Sequence, residues 1–233
     1  MSEKFPSRPW FEVAEHVGKS TFRLYTDEAM GTGFLLMLGK GSDTHVAVLA
    51  TAWHVVKDAI GGTSLRICDR DGKEVVRSRK GNIAVMEIGN GLDSAIVVIQ
   101  SPNQIFHEGA LLPLLPVAVQ LKTGAEIAWM GYPGIVEPEI CFFQGYISGT
   151  LKNPPVYLVD GVAINGVSGG PVFDDRCHLV GLVSAYLPNR VGPETTLPGV
   201  SWVVPINFIY AWITAHLNPR DLYADPNSVY NLS

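Results

Sequence analysis

Cysteine is scarce in this sequence, and what there is forms no pattern. Cys68, Cys141 and Cys177 make three, an odd count with no C-x-x-C spacing, which excludes a dense disulfide scaffold and a thiolate zinc site. Long apolar runs are missing too. No stretch reaches the roughly 20 residues that a membrane-spanning helix needs, and Met1–Trp10 lacks the apolar centre of a secretory signal. Charged residues are only 17% of the chain, with a balance of −5. Lysine and arginine are nowhere interleaved with aromatics in a basic stripe, so neither nucleic acid nor a membrane is an expected partner. With so few anchors of other kinds, the expectation is a cytoplasmic protein held together by burial.

Burial has ample material. Hydrophobic residues are 47% of the 233, enough for a sizeable core. From Thr21 onward they fall in β-branched or alternating runs, separated by turns rich in Gly, Asp, Asn and Lys. Thr21–Thr26, Gly33–Leu38, Val46–Thr51, Ser64–Cys68, Asn82–Ile88 and Ser94–Gln100 form a first set of six expected strands. Ala125–Met130, Phe142–Thr150, Val156–Val159, Pro171–Phe173, Leu179–Tyr186 and Val200–Val204 form a second six. Residues 101–120, broken by Pro102, Pro113 and Pro116, read as the connector between the sets. No helical periodicity separates the strands, which argues against a parallel α/β sheet. The expected fold is all-β: two six-stranded antiparallel β-barrels over 21–100 and 121–204. An extension over 1–20 packs against its own barrel. Ile206, Ile209, Tyr210, Ile213 and Leu217 recur at helical spacing, predicting a C-terminal helix over 205–217 before a polar tail over 218–233.

Between these strands sits Asn165-Gly166-Val167-Ser168-Gly169-Gly170-Pro171. Glycine-rich turns let main-chain N–H groups converge on one point, and here such a turn displays a serine hydroxyl. A hydroxyl is a weak nucleophile without a base and a group to orient that base. His54, where an apolar run ends in Thr51-Ala52-Trp53-His54, is the candidate base, and Asp93, at the mouth of the strand Ser94–Gln100, the candidate orienter. The order His, Asp, Ser is that of double-barrel hydrolases. Gly166-x-Ser168-x-Gly170 also fits the nucleophile elbow of α/β-hydrolases, with Asp174 or Asp175 and His216 as partners. That elbow must lead from strand into helix, and Gly169-Gly170-Pro171 opposes a helix. The remaining histidines show no ligand spacing, so no metal or other cofactor is expected.

Further segments stand in fixed order around these three: Gly31-Thr32-Gly33-Phe34, Leu92-Asp93-Ser94-Ala95, Gly131-Tyr132-Pro133-Gly134, Gly145-Tyr146-Ile147-Ser148 and Val203-Val204-Pro205-Ile206-Asn207. Together, from about Gly31 to Asn207, they resemble the bacterial trypsin-like serine peptidases, most of all the protease domain of the HtrA/DegP group, with no PDZ module recognisable behind them. The resemblance implies Ser168 as nucleophile, His54 as general base and acid, and Asp93 as the residue that fixes the imidazole. It implies the main-chain N–H groups of Gly166 and Ser168 as the oxyanion hole. Val162, Asn165, Ser184, Ala185 and Tyr186 are the positions it assigns to substrate binding. Val162, at the base of the S1 pocket, brings no carboxylate, so small or medium apolar P1 side chains are expected. The chain departs from the family in two places. Asn165 stands where the HtrA-type loop has an extra proline, and Val167 stands where digestive and clotting enzymes carry the aspartate that receives a freshly cut N-terminus. No activation cleavage is therefore expected. Protein or peptide substrates, and a regulatory partner or a second copy of the chain, are the partners that fit. The alternative is a catalytically silent module that binds protein through the same cleft.

Overall fold

The computed structural model describes residues 7–40, 43–60, 64–78, 82–89, 91–116, 119, 121–190 and 196–216. The tail expected over 218–233 and position Leu217 lie outside the described residues. A first sheet contains β1 (Thr21–Tyr25), β2 (Met30–Lys40), β3 (His45–Thr51), β4 (Arg66–Cys68), β5 (Glu74–Arg77), β6 (Ile83–Glu87) and β7 (Ala95–Ser101). Its order is β5-β4-β1-β2-β3-β7-β6. The second half comprises β8 (Glu126–Gly131), β9 (Cys141–Lys152), β10 (Pro155–Asp160), β11 (Pro171–Phe173), β12 (Leu179–Arg190) and β13 (Thr196–Pro205), which close into a barrel in the order β10-β13-β12-β11-β8-β9.

The double-β architecture and the six-stranded second barrel are as expected; the first half differs in detail. It has a seventh strand, β5, which pairs Val76 with Ile67, and its hydrogen bonds form a curled sheet rather than a closed ring. The hairpin of β12 and β13 also runs farther than expected, pairing Asn189 with Leu197 in a stretch that reads as loop from its prolines and glycines.

The uninterrupted apolar character of the strands follows from where the two faces point. Successive side chains of a strand alternate between faces. In β3, Ala47 and Leu49 fill the interior of the first half, whereas Val46, Val48 and Ala50 turn to a second core shared with the other barrel. That shared core also takes Phe34 and Ile96 from one side, and Phe173, Leu179 and Leu182 from the other. The second barrel has its own interior around Ile127, Trp129, Val172 and Val183. A curled sheet and a barrel joined by a continuous apolar core hold their facing loops in fixed relation.

Two helices seal the shared core. The C-terminal helix α3, Ile206–His216, buries Ile206, Ile209 and Ile213. The N-terminal segment, expected only as a packed extension, contains the helix α1, Trp10–Gly18. Its Val13 and Val17 are fully buried, and its Trp10 packs against Phe142 and Phe173 of the second barrel. The Val17 carbonyl then accepts the hydroxyls of Ser20 and Thr21 at 2.8 Å each, capping the helix and leading it into β1. Val17→Ala removes two buried methyl-sized groups and should cost about 2 kcal/mol. A urea midpoint measures it, with exposed Phe11→Ala as a control expected to stay within about 0.5 kcal/mol of wild type.

Candidate active site

The site begins with a strand register. Antiparallel β3 and β7 pair Thr51 with Ala95, so the end of one strand lies beside the start of the other. Just past Thr51, extended Ala52 leads into the short helix α2, Trp53–Val56, which carries His54; just before Ala95 comes Asp93. Val55 and Val56 are buried and pin α2, while the His54 side chain remains 48% exposed. Neighbouring strand ends thus supply both residues although 39 positions separate them.

Asp93 is gripped on both oxygens. Its Oδ1 accepts the main-chain N–H of His54 at 2.9 Å, and its Oδ2 accepts His54 Nδ1–H at 2.6 Å and the Ser184 hydroxyl at 3.1 Å. A carboxylate only accepts, so in the neutral imidazole the proton sits on Nδ1 and Nε2 carries the lone pair. Burial pushes the Asp93 carboxyl up, but the hydrogen bonds from His54, the attraction of that imidazole in its protonated form and the Ser184 hydroxyl outweigh that and hold the group below the usual carboxylate range.

Ser184 reaches Asp93 because β12 bulges there: the register against β13 shifts between Val183 and Ala185, and a bulge re-aims the side chain at that point. The adjacent Val183 exchanges main-chain bonds with the serine turn, accepting Gly169 N–H at 2.6 Å and donating to the Gly170 carbonyl at 3.0 Å. One strand therefore touches both the His–Asp pair and the turn that holds Ser168.

That turn is tied to the first half as well. Thr32 of β2 donates its N–H to the Ser168 carbonyl at 2.9 Å and its hydroxyl to the Gly166 carbonyl at 2.7 Å. The Thr32 carbonyl accepts the hydroxyl of Thr51, the last residue of β3, at 2.7 Å. Gly31, next to Thr32, lies where α2 and the turn converge: a Cβ there would come 2.5 Å from the Val55 side chain and 3.1 Å from the Ser168 carbonyl oxygen.

Within the turn, Val167 N–H bonds to the Ile164 carbonyl at 3.0 Å, and Gly166 takes φ +96°. A side chain at 166 would be strained by that φ and would meet the Tyr132 carbonyl oxygen at 2.3 Å. Among the described residues, neither the N–H of Gly166 nor that of Ser168 has an acceptor. Unpaired main-chain donors in a packed turn are uncommon in proteins. The Val167 side chain is fully buried in the second barrel, so apolar packing secures the residue before Ser168. Pro171–Phe173 is strand β11, so the serine turn leads into a strand and not into the helix of a hydrolase elbow.

Of the expected substrate-binding positions, Val162 is 43% exposed. It is held at the top of a turn by buried Ser201, whose Oγ donates to the Gly161 carbonyl at 2.6 Å and accepts Ala163 N–H at 2.9 Å. Asn165 is exposed, with its carbonyl on Gly134 N–H at 2.9 Å. Pairing of β12 with β11 stops at Leu182 opposite Pro171, so Ala185 has β13 on one edge. The Ser184 side chain is buried and turned to Asp93, leaving its main chain for strand pairing. The side chain of Tyr186 lies outside the described residues. Ser184 as a partner of Asp93 and Thr32 as the tie between halves went unassigned in the sequence reading; both stand next to quoted motifs, but a hydroxyl's aim depends on strand register. A second His–Asp pair, His178 Nδ1 to Asp174 at 2.9 Å, closes a buried surface turn. Among the described residues no three His, Cys, Asp or Glu side chains gather to hold a metal ion.

The model of the Trypsin-like peptidase domain matches residues 31–182. The chain belongs to that family. In fold, this trypsin-like peptidase is similar to a serine endoprotease from Yersinia pestis, with a TM-score of 0.63 and 17% identity over 87% of this chain and 64% of the other. It is also similar to the Rv3671c protease of M. tuberculosis in its inactive form, with a TM-score of 0.62 and 18% identity over 89% and 93% of the two chains. The peptidase thus spans about 64% of the Yersinia protein and nearly all of the mycobacterial one. No curated protein sequence matches it.

The depressed pKa of Asp93 in this peptidase makes a prediction about acid stability. Its folded-state value lies below the unfolded value of about 3.9, so the stability it contributes is present above that pH and is lost as pH falls through the folded value. The stability difference between wild type and Asp93→Asn should therefore shrink from pH 7 to below about pH 4. Urea titrations at the two ends of this range check it.

Proposed function

We propose that this chain is a serine endopeptidase that hydrolyses peptide bonds in proteins or peptides, with His54, Asp93 and Ser168 as its triad. The observation that carries the reading is the pair of free N–H donors on Gly166 and Ser168, in the same turn as a serine hydroxyl and tied to the half that holds a tautomer-fixed imidazole. His54 Nε2 takes the Ser168 Oγ proton as Oγ bonds to the substrate carbonyl carbon. The carbonyl oxygen becomes negative and accepts the two N–H groups, each worth about 3 kcal/mol towards the transition state. The C–N bond then breaks, the leaving amine takes the proton from His54, and an acyl ester remains on Ser168. Water repeats the sequence, giving its proton to His54 and releasing the acid.

Substrate would add as a strand along β12 beyond Val183, where pairing with β11 and with the serine turn has ended. Val162, exposed and held by Ser201, would floor the P1 pocket with an apolar surface. Buried Val167 takes the place of an aspartate awaiting a new N-terminus, so we propose that activity needs no activation cleavage. The three thiols are free, which suits the cytoplasm, the compartment we propose.

A fluorophosphonate probe tests the chemistry: wild type should label covalently and Ser168→Ala should not. A folded wild type that never labels would favour the silent binding module. A peptide library tests specificity, with cleavage expected after small or medium apolar residues; efficient cleavage after arginine would contradict the pocket assignment.

A further inference from the structure

A heavily engaged charged side chain lies away from the triad. Arg23, in β1 of the first half, is 3% exposed. A buried guanidinium needs partners; two of the three hydrogen bonds that Arg23 donates run to one loop of the second half, while its Nε has no partner among the described residues. Nη1 donates to Glu137 Oε1 at 3.2 Å and to the Tyr25 hydroxyl at 2.7 Å, and Nη2 donates to the Pro138 carbonyl at 3.0 Å. Tyr25 in turn donates its hydroxyl to the same Glu137 oxygen. The guanidinium lies over the Tyr132 ring, 5.0 Å from its centre, and the Tyr132 hydroxyl donates to the Thr21 carbonyl at 3.1 Å. Residues 132–138 are thus fastened to β1 at both ends.

The other face of this loop meets the serine turn. Gly134 N–H donates to the Asn165 carbonyl at 2.9 Å. In a trans peptide the C=O and N–H point in opposite directions. Holding the Asn165 carbonyl on Gly134 therefore fixes the direction of the Gly166 N–H, one of the two free donors. A turn with glycine at 166 has little steric resistance of its own to rotation of that peptide plane, so the orientation depends on the partner of the Asn165 carbonyl.

We propose that Arg23 is a positioning residue for the oxyanion turn: with Glu137 it latches the 132–138 loop so that Gly134 holds the Asn165–Gly166 peptide with its N–H towards the substrate oxygen. The role of Gly166 rests on the peptidase reading above; the latch itself does not. Its bonds cross between the halves over 114 residues of sequence, which makes donor geometry a property of the assembled pair.

The test uses the full chain with Arg23→Met and, because loss of a buried side chain can compromise folding, Glu137→Ala at a half-exposed position. Amide hydrogen exchange is followed in peptides covering 131–138 and 164–170, and kcat and KM are measured on a fluorogenic peptide. Both variants should exchange faster in both segments while β3 and β7 keep wild-type protection. Glu137→Ala should lose about 3–10-fold in kcat and Arg23→Met about 10–100-fold, less than the roughly 10²–10³-fold cost of removing an oxyanion donor outright because the donor is misdirected and not lost, with KM within about twofold. The double variant should lose no more than Arg23→Met alone, as expected of residues acting as one unit. Unchanged exchange in 164–170 for folded Glu137→Ala overturns the latch, as does unchanged kcat in an active enzyme. Exchange can be read even if wild type neither labels nor cuts, so the latch and the peptidase reading fail separately.

Discussion

Thr32 is the joint on which the site depends. Its N–H, hydroxyl and carbonyl all bond across to other segments: to Ser168, to Gly166 and to Thr51. Its hydroxyl oxygen also accepts the N–H of Tyr132 at 3.0 Å. One fully buried residue therefore fastens the serine turn, the 132–138 loop and the strand that ends near His54. Each bond is worth only about 1 kcal/mol net, but leaving any of these buried partners unsatisfied would cost more. The apolar core between the halves supplies the rigidity, and this hydroxyl-centred knot converts rigidity into alignment.

Two His–Asp pairs among the described residues show how much of the chemistry comes from surroundings. His54 with Asp93 and His178 with Asp174 have nearly the same pairing geometry. The first imidazole is half exposed and shares its carboxylate with a serine beside the Ser168 turn; the second is buried and closes the local turn 174–178. A proton relay needs access and a third partner, and of these two pairs the His54 pair is the one next to a turn with unspent donors.

Much of this was legible in the sequence because it is written in local patterns. Strand alternation, glycine-rich turns and the order of the three residues led to the double-β fold and brought His54 and Asp93 into one site. The long apolar strands carried further information, since their two buried faces are what a shared core requires. The helix α1 was also open to reading: Trp10, Val13, Ala14 and Val17 stand at helical spacing, but flanking polar residues and prolines gave them the look of an extension. The strand β5 is short and its Val75 and Val76 stand between charged residues, so edge pairing decided its state. Ser184, Arg23 and Thr32 were beyond such reading. Their roles depend on a bulge, a stacked tyrosine and partners more than 90 residues away, none of which leaves a periodic trace.

The separation of those partners bears on how the protein comes into being. The bonds of Thr32 to Tyr132 and Gly166 join positions 100 and 134 residues apart, so a chain still emerging from the ribosome has His54 and Asp93 but not yet the turn they face. Closing such long loops is entropically costly and waits for the last strands to dock. The turn that carries Ser168 is therefore set against His54 and Asp93 only once both halves of the chain have been made.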